Sequence, residues 1–140
     1  MTEQDNTTTV QRLYAAFGAQ DLDAVLALLD DEVQWRHPRQ RDIPWGGARS
    51  GRDAVCGFFQ AVASHLEVDH FVPQHWVAHE DQVIVFGRER MRTREAQHIY
   101  EVDWVHAFTL RDAKIVAFEE YTDTATIIEA LSTKGTGEKP

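Results

Sequence analysis

Tyr100-Glu101-Val102-Asp103-Trp104-Val105-His106-Ala107-Phe108-Thr109-Leu110, followed across Arg111-Asp112-Ala113 by Lys114-Ile115-Val116-Ala117-Phe118-Glu119-Glu120-Tyr121-Thr122-Asp123, reads as two long strands joined by a tight turn. Side chains two apart on a strand point the same way, so Trp104, His106, Phe108 and Leu110 share one face of the first strand. That face is apolar except for one histidine. In the second strand Val116, Phe118 and Glu120 fall on one side and Ile115, Ala117, Glu119 and Tyr121 on the other, so each face carries one carboxylate. Lone ionisable groups on the apolar faces of a long hairpin imply either the wall of a pocket or a subunit interface.

Upstream of this hairpin, two more strands are predicted over 66–78 and 83–93, joined through His79-Glu80-Asp81-Gln82, with Pro73 marking a bulge or an edge. Arg88, Arg90, Arg92 and Arg94 alternate along the second of them opposite Glu89 and Met91. This reads as a solvated charged face, with substrate binding by one arginine as the sharper alternative. Earlier, Val33, Trp35 and His37 alternate with Gln34 and Arg36 in a strand that stops at Pro38, since proline has no N–H to give a ladder. The inward set of that strand ends in a histidine.

The remaining segments are helical. Val10, Leu13, Tyr14 and Phe17, three and four apart, mark one face of an amphipathic helix capped by Thr7 or Thr8, with polar residues 1–6 left to fray. After Gly18-Ala19-Gln20-Asp21 a second short helix places Leu22, Val25, Leu26 and Leu29 on one face. Ser50-Gly51-Arg52-Asp53 has the outline of a capping box and opens a third helix with Val55, Phe58, Phe59 and Val62 on its buried stripe. Cys56 beside that stripe reads as a small filler rather than a nucleophile. Residues 39–50, with Pro44, Gly46 and Gly47, form a loop whose Trp45 is too large to leave in water, a candidate lid over a pocket mouth. A last helical segment covers 124–131, and 132–140 is expected to be a disordered tail.

The order is therefore helix, helix, strand, loop, helix and then four long strands. Helices segregated on one side of a curved, mostly antiparallel sheet make an α+β cone with a cavity between the layers. A chain of 140 residues, 43% of them hydrophobic, supplies one such core. The net charge of −9 argues against nucleic acid or an anionic membrane as partner, because both need a basic face. A single cysteine, no apolar run near ~18 residues and no leader resembling a signal peptide predict a cytoplasmic protein without an intrachain disulfide. The seven histidines are scattered, and neither His75 with His79 nor His65 with His70 sits at zinc-ligand spacing, so no metal or other cofactor is expected. Val105, Ala107, Ala117 and Tyr121, on the outer face of the hairpin, are too apolar for solvent and predict a homodimer through that face.

Tyr14-Ala-Ala-Phe17 with Gln20-Asp21-Leu22, Leu29-Asp-Asp-Glu-Val33, Ser50-Gly51-Arg52-Asp53-Ala54-Val55 with Phe58-Phe59, and His106-Ala-Phe108 through Lys114-Ile115 to Tyr121-Thr-Asp123 together carry a family likeness. Over residues 7–131 the chain resembles the SnoaL-like polyketide cyclases and ketosteroid isomerases of the nuclear transport factor 2 superfold. The resemblance implies one SnoaL-like domain over 1–131, a cone-shaped barrel whose curved sheet wraps on three N-terminal helices, in the arrangement also called cystatin-like. It does not imply one reaction, because this superfold hosts isomerases, cyclases, dehydratases, epoxide hydrolases and modules that catalyse nothing. Ketosteroid isomerases carry a proton-shuttling aspartate immediately before a proline at the end of the first strand, and the matching position here is His37 before Pro38. Their protonated aspartic acid on the next-to-last strand lies nearest His106, and their tyrosine donor on the first helix falls on Leu13, one position from Tyr14. SnoaL-type cyclases use an aspartate on the last strand as acid and base, and the matching inward position is Glu120. Limonene epoxide hydrolases need an Asp-Arg-Asp set that has no counterpart here, and the paired histidines of scytalone dehydratase-like members correspond loosely to His37 and His106. At the turn, Asp112-Ala113 stands where the family has Asp-Gly, so a positive φ there would be strained.

The catalytic candidates are His37, His106 and Glu120, and the substrate-binding candidates are Tyr14, Trp35, Trp45, Phe59, Trp104, Phe108 and Phe118. Histidine titrates near pH ~6.5 and serves as acid or base at cellular pH with little adjustment, whereas Glu120 would need its pKa raised by an apolar wall. The chemistry expected is enolisation of a hydrophobic small-molecule carbonyl compound that enters beneath Trp45. His37 removes a proton beside the carbonyl, His106 or Tyr14 donates to the enolate oxygen, and Glu120 relays or returns the proton. Isomerisation, aldol-type ring closure and elimination all start from that enolate. Each candidate also has a plainer reading: core histidines satisfied by backbone carbonyls, a Glu120 ion pair with an arginine, aromatic residues as core packing. A non-catalytic ligand-binding or dimerisation module of the same fold is the alternative function.

Overall fold

The computed structural model describes residues 1–132; all of the expected tail beyond Ser132 lies outside the described residues. In chain order the elements are α1 (Glu3–Gly18), α2 (Leu22–Ala27), β1 (Leu29–His37), β2 (Gly47–Ser50), α3 (Arg52–His65), β3 (Leu66–His79), β4 (Gln82–Thr93), β5 (Ile99–Arg111), β6 (Lys114–Thr122) and α4 (Thr124–Leu131). The six strands form one sheet in the order β2-β1-β6-β5-β4-β3. β1 and β6 run parallel and every other pair is antiparallel. The order has two ends, β2 and β3, so the sheet curves around the helices as an α+β cone without closing into the expected barrel. Pro73 fits because β3 is an edge strand and its register shifts between Pro73 and His75.

Four local expectations are corrected. α1 starts at Glu3 rather than Thr7, because Thr2 and Asp5 form a capping box: the Asp5 N–H donates to Thr2 Oγ1 and the Thr2 N–H to the Asp5 carboxylate, each at 3.0 Å. The start of α1 is also tied to the β3–β4 turn, where the Glu80 N–H donates to the Glu3 carboxylate at 2.7 Å, so residues 3–6 do not fray. Residues 47–50, read as loop, pair with β1 from Gln34↔Ser50 to His37↔Gly47, a conformation Gly47 enters with φ +97°. Ser50 is therefore a strand residue; its hydroxyl donates to Gln34 Oε1 at 2.8 Å, and α3 is capped by Gly51 with no side-chain cap. In β6, Ile115 pairs with Leu110 and Ala117 with Thr109, which leaves Val116 as an extra, bulged residue. The bulge turns Ile115 into the core and takes Val116 off the inner face shared by Phe118 and Glu120.

The β5–β6 turn takes the positive φ values foreseen as strained, 51° at Asp112 and 68° at Ala113. Val10 and Leu13 of α1, Val25 of α2 and Val55 and Phe58 of α3 are buried against Val33, Trp35, Val83, Val85, Phe108 and Phe118 of the sheet. Each such side chain contributes about 1.5–3 kcal/mol of hydrophobic stabilisation. The arginine row is on the outer face. Arg88 pairs with Glu101 and Asp103, and Arg90 with Glu101 and Asp69, at 2.7–3.0 Å.

Candidate active site

Strand geometry places the candidate catalytic groups. His106 and Glu120 stand directly opposite each other on β5 and β6, so their inward side chains meet, with His106 Nε2 2.9 Å from Glu120 Oε2. The parallel β1–β6 ladder pairs Trp35 with Phe118 and Arg36 with Glu119. One residue further, His37 Nε2 lies 3.4 Å from Glu120 Oε1. From α1, the Tyr14 hydroxyl reaches His106 Nδ1 at 2.8 Å. Glu120 thus sits between two imidazoles, and a phenol extends the chain on the His106 side. With the buried phenol as donor and Glu120 as acceptor at both oxygens, the bonds take one sense: Tyr14 O–H to Nδ1, His106 Nε2–H to Oε2, and His37 Nε2–H toward Oε1.

Packing holds the rings in place. The Trp104 ring lies 3.9 Å from that of His106 at 15°, stacked along β5. It fits because Gly87 stands opposite on β4; a Cβ there would come within 2.2 Å of the indole. Phe58 of α3 stacks on His37 at 4.1 Å and 26°. Both histidines are 6% exposed, and His37 Nδ1 is buried with no partner among the described residues.

Burial is the main influence on these groups. It pushes His37 down to about 4, assisted by His106 and Arg49 and opposed by the Glu120 charge. Burial works in the other direction on Glu120, but the two histidines outweigh it and hold its carboxyl below the usual range. The Tyr14 hydroxyl is raised by burial and, secondarily, by Glu120, so it stays protonated. Two expectations are corrected: rather than needing little adjustment, His37 is pushed well below the usual histidine range by burial, and rather than being raised, Glu120 is lowered by the histidines.

These groups form the floor of an apolar cavity lined by Trp35, Phe58, Phe59, Phe71, Phe118 and Met91 among others. Of the substrate-binding candidates, Tyr14, Trp35, Trp45, Phe59 and Phe118 line it. Trp104 and Phe108 do not; they are 1% and 0% exposed and pack behind the histidine. Sequence reasoning missed Phe17 and Phe71, and above all Glu89 and Tyr100. Glu89 was readable, since it alternates with Val83, Val85 and Met91 on the inner face of β4. The cavity has a volume of about 80 Å³. Beside it, between α1, α2, α3 and β3, lies a groove of about 810 Å³. Tyr14, Phe17, Phe59, Val62 and Phe71 border both, so a wall of rotatable side chains separates them. Trp45 is 5% exposed and part of the cavity wall.

Two imidazoles and a carboxylate are chemically a metal-ligand set. Here the Nε2 of each imidazole faces a carboxylate oxygen instead, and no trio of His, Cys, Asp or Glu among the described residues is spaced to hold an ion.

A curved sheet wrapped on helices around an inward polar chain defines the nuclear transport factor 2-like class. Residues 10–118 match the model of the SnoaL-like domain, and the chain belongs to that family. A nuclear transport factor 2-like protein of Burkholderia xenovorans superposes with a TM-score of 0.86 at 29% identity, over 94% of this chain and 99% of that one. TerC, crystallised with polyporic acid, superposes at 0.83 with 26% identity, over 91% and 98%. A candidate polyketide cyclase of Xanthomonas campestris pv. campestris shares the fold at 0.77 and 22% identity, over 93% and 98%. No curated protein sequence matches the chain significantly.

Proposed function

We propose that the protein is a small-molecule enzyme that enolises a flat hydrophobic carbonyl compound by acid/base chemistry, the first step of an isomerisation, a cyclisation or an elimination. The observation that carries this reading is Glu120 held between His37 and His106, with Tyr14 on His106, at the floor of an apolar cavity. Family membership supports it, as does the aromatic lining, which suits a planar ligand. TerC, a relative at 26% identity, was crystallised with polyporic acid, which supports a small-molecule ligand here.

The roles follow from which lone pairs are available. Burial depresses His37 and the histidines hold Glu120 below the usual range, so neither is a strong base, but His37 Nδ1 is closed off. The 3.4 Å contact to His37 is loose for a hydrogen bond, which leaves Glu120 Oε1 the more available acceptor. Glu120 Oε1 takes the proton from the carbon beside the carbonyl and returns it to the enolate in the following step, while His37 Nε2–H stays directed at the carboxyl. His106 fixes Oε2, and the Tyr14 O–H turns from Nδ1 to the enolate oxygen. Substrate enters from the outer groove as Phe17, Phe59 and Phe71 rotate. Two copies associate through the outer face, where Phe86, Val105 and Tyr121 form one row across three strands.

The test is deuterium exchange into 2-tetralone, a flat ketone with acidic C–H bonds, followed by proton NMR. Wild-type protein is expected to accelerate the exchange and Glu120→Gln to abolish the acceleration. Binding without exchange would instead make the protein a ligand-binding module. Sedimentation at micromolar concentration tests the dimer.

A further inference from the structure

We infer that Glu89 is a second recognition group of this cavity: a protonated carboxyl that donates a hydrogen bond to an oxygen at the far end of a ligand whose carbonyl end lies at Glu120. The inference rests on the proposed function and adds the ligand's second polar point. Val85 pairs with His106, and Glu89 is four residues further along β4. At about 3.3 Å per residue, the two carboxyl-bearing levels are separated by roughly 13 Å of strand. Both side chains open on the same cavity.

The surroundings of Glu89 are those of an acid, not an anion. It is 8% exposed, and no Lys, Arg or His nitrogen lies within ion-pair distance of it among the described residues. Its chain neighbours Arg88 and Arg90 point to the outer face and are engaged by Glu101, Asp103 and Asp69. The Tyr100 hydroxyl donates to Oε2 at 3.2 Å, and among the described residues this is its one side-chain hydrogen bond. A buried carboxyl without a cation takes up a proton. Burial and, secondarily, the Glu120 charge raise Glu89 to about 8. A leucine would fill this place at no polar cost, so as packing alone the residue is poorly suited. As a donor aimed into an apolar space it selects for an oxygen acceptor. The ligand class is therefore a planar hydrophobe with oxygen functions at both ends, the far one able to accept.

Three probes test this by fluorescence titration: 2-naphthol, 6-methoxy-2-naphthol and 6-ethyl-2-naphthol. The methoxy and ethyl groups have similar shape, and only methoxy accepts a hydrogen bond. Wild-type protein is expected to bind the methoxy compound about tenfold more tightly than the ethyl one, the scale of one buried hydrogen bond. Glu89→Gln, which keeps a neutral donor, is expected to retain the preference, and Glu89→Leu to lose it while still binding 2-naphthol. Equal affinity of wild-type protein for the methoxy and ethyl compounds overturns the inference and leaves the proposed function standing, and this comparison needs no variant to fold. Failure of all three to bind overturns both.

Discussion

Two glutamates open on one cavity and end in opposite protonation states. Glu120, on β6, meets an imidazole at each oxygen and stays ionised; Glu89, on β4, meets one phenol and takes up a proton. Residue type and burial are nearly the same, so the partners decide. One strand pairing, His106 with Glu120, and one parallel ladder, β1 with β6, convert a carboxyl into a candidate base. Glu89 stands opposite Val102 and receives no such help.

The largest expected effect breaks the Glu120 side. Glu120→Gln cannot accept a proton, and turnover or exchange is expected to fall by about 10²–10⁴-fold, measured by NMR on the same ketone. His37→Ala sharpens the division of labour. Its loss is expected to be smaller, about tenfold, and equal losses for the two variants would give the base to His37. If the His37 variant instead keeps its rate and loses about 1–3 kcal/mol in thermal melts, the imidazole is only packing.

Gly87→Ala tests the support behind His106. The added methyl has no room beside Trp104, so a loss of about 1–3 kcal/mol is expected, together with a change in the Trp104–His106 contact seen by tryptophan fluorescence.

The smallest effect separates the two acids by pH. Glu89 has a folded pKa above its unfolded one, so the stability linked to its acid form is fully present below about 4.5 and is lost as pH rises through about 8. His37 has the opposite sign, since burial depresses it: its contribution is present above about 6.5 and is lost as pH falls through about 4. Melting curves of Glu89→Gln are therefore expected to lack the decline that wild type shows as pH rises from about 4.5 to about 8. Parallel curves would mean that Glu89 is ionised throughout.

The long alternation of β5 and β6 made the hairpin, the inward histidine and the inward carboxylate legible, because a period of two carries its own face assignment. His37 was legible through its proline. Glu89 was equally available by alternation, but the arginines flanking it direct attention to the outer face. The bulge at Val116 was not legible, since it exists only in the register with Leu110, and no local residue announces it. Nor was the start of α1, where a capping box sits among residues polar enough to pass for a tail. The protonation states belong to no single residue, because they arise from partners on different strands.

The parallel β1–β6 ladder has a consequence for how the chain acquires its structure. Arg36 and Glu119, neighbours in that ladder, are 83 residues apart in sequence. The hairpins β3–β4, β4–β5 and β5–β6 close through short turns, so they can form soon after synthesis, whereas β1 must wait for the last strand to emerge. Until then β1 has only β2 beside it in the sheet. On this topology the pocket floor is expected to be the last part of the molecule to assemble, and recovery of the Glu120–His37 contact in a refolding experiment is expected to lag behind that of the β3–β6 hairpins.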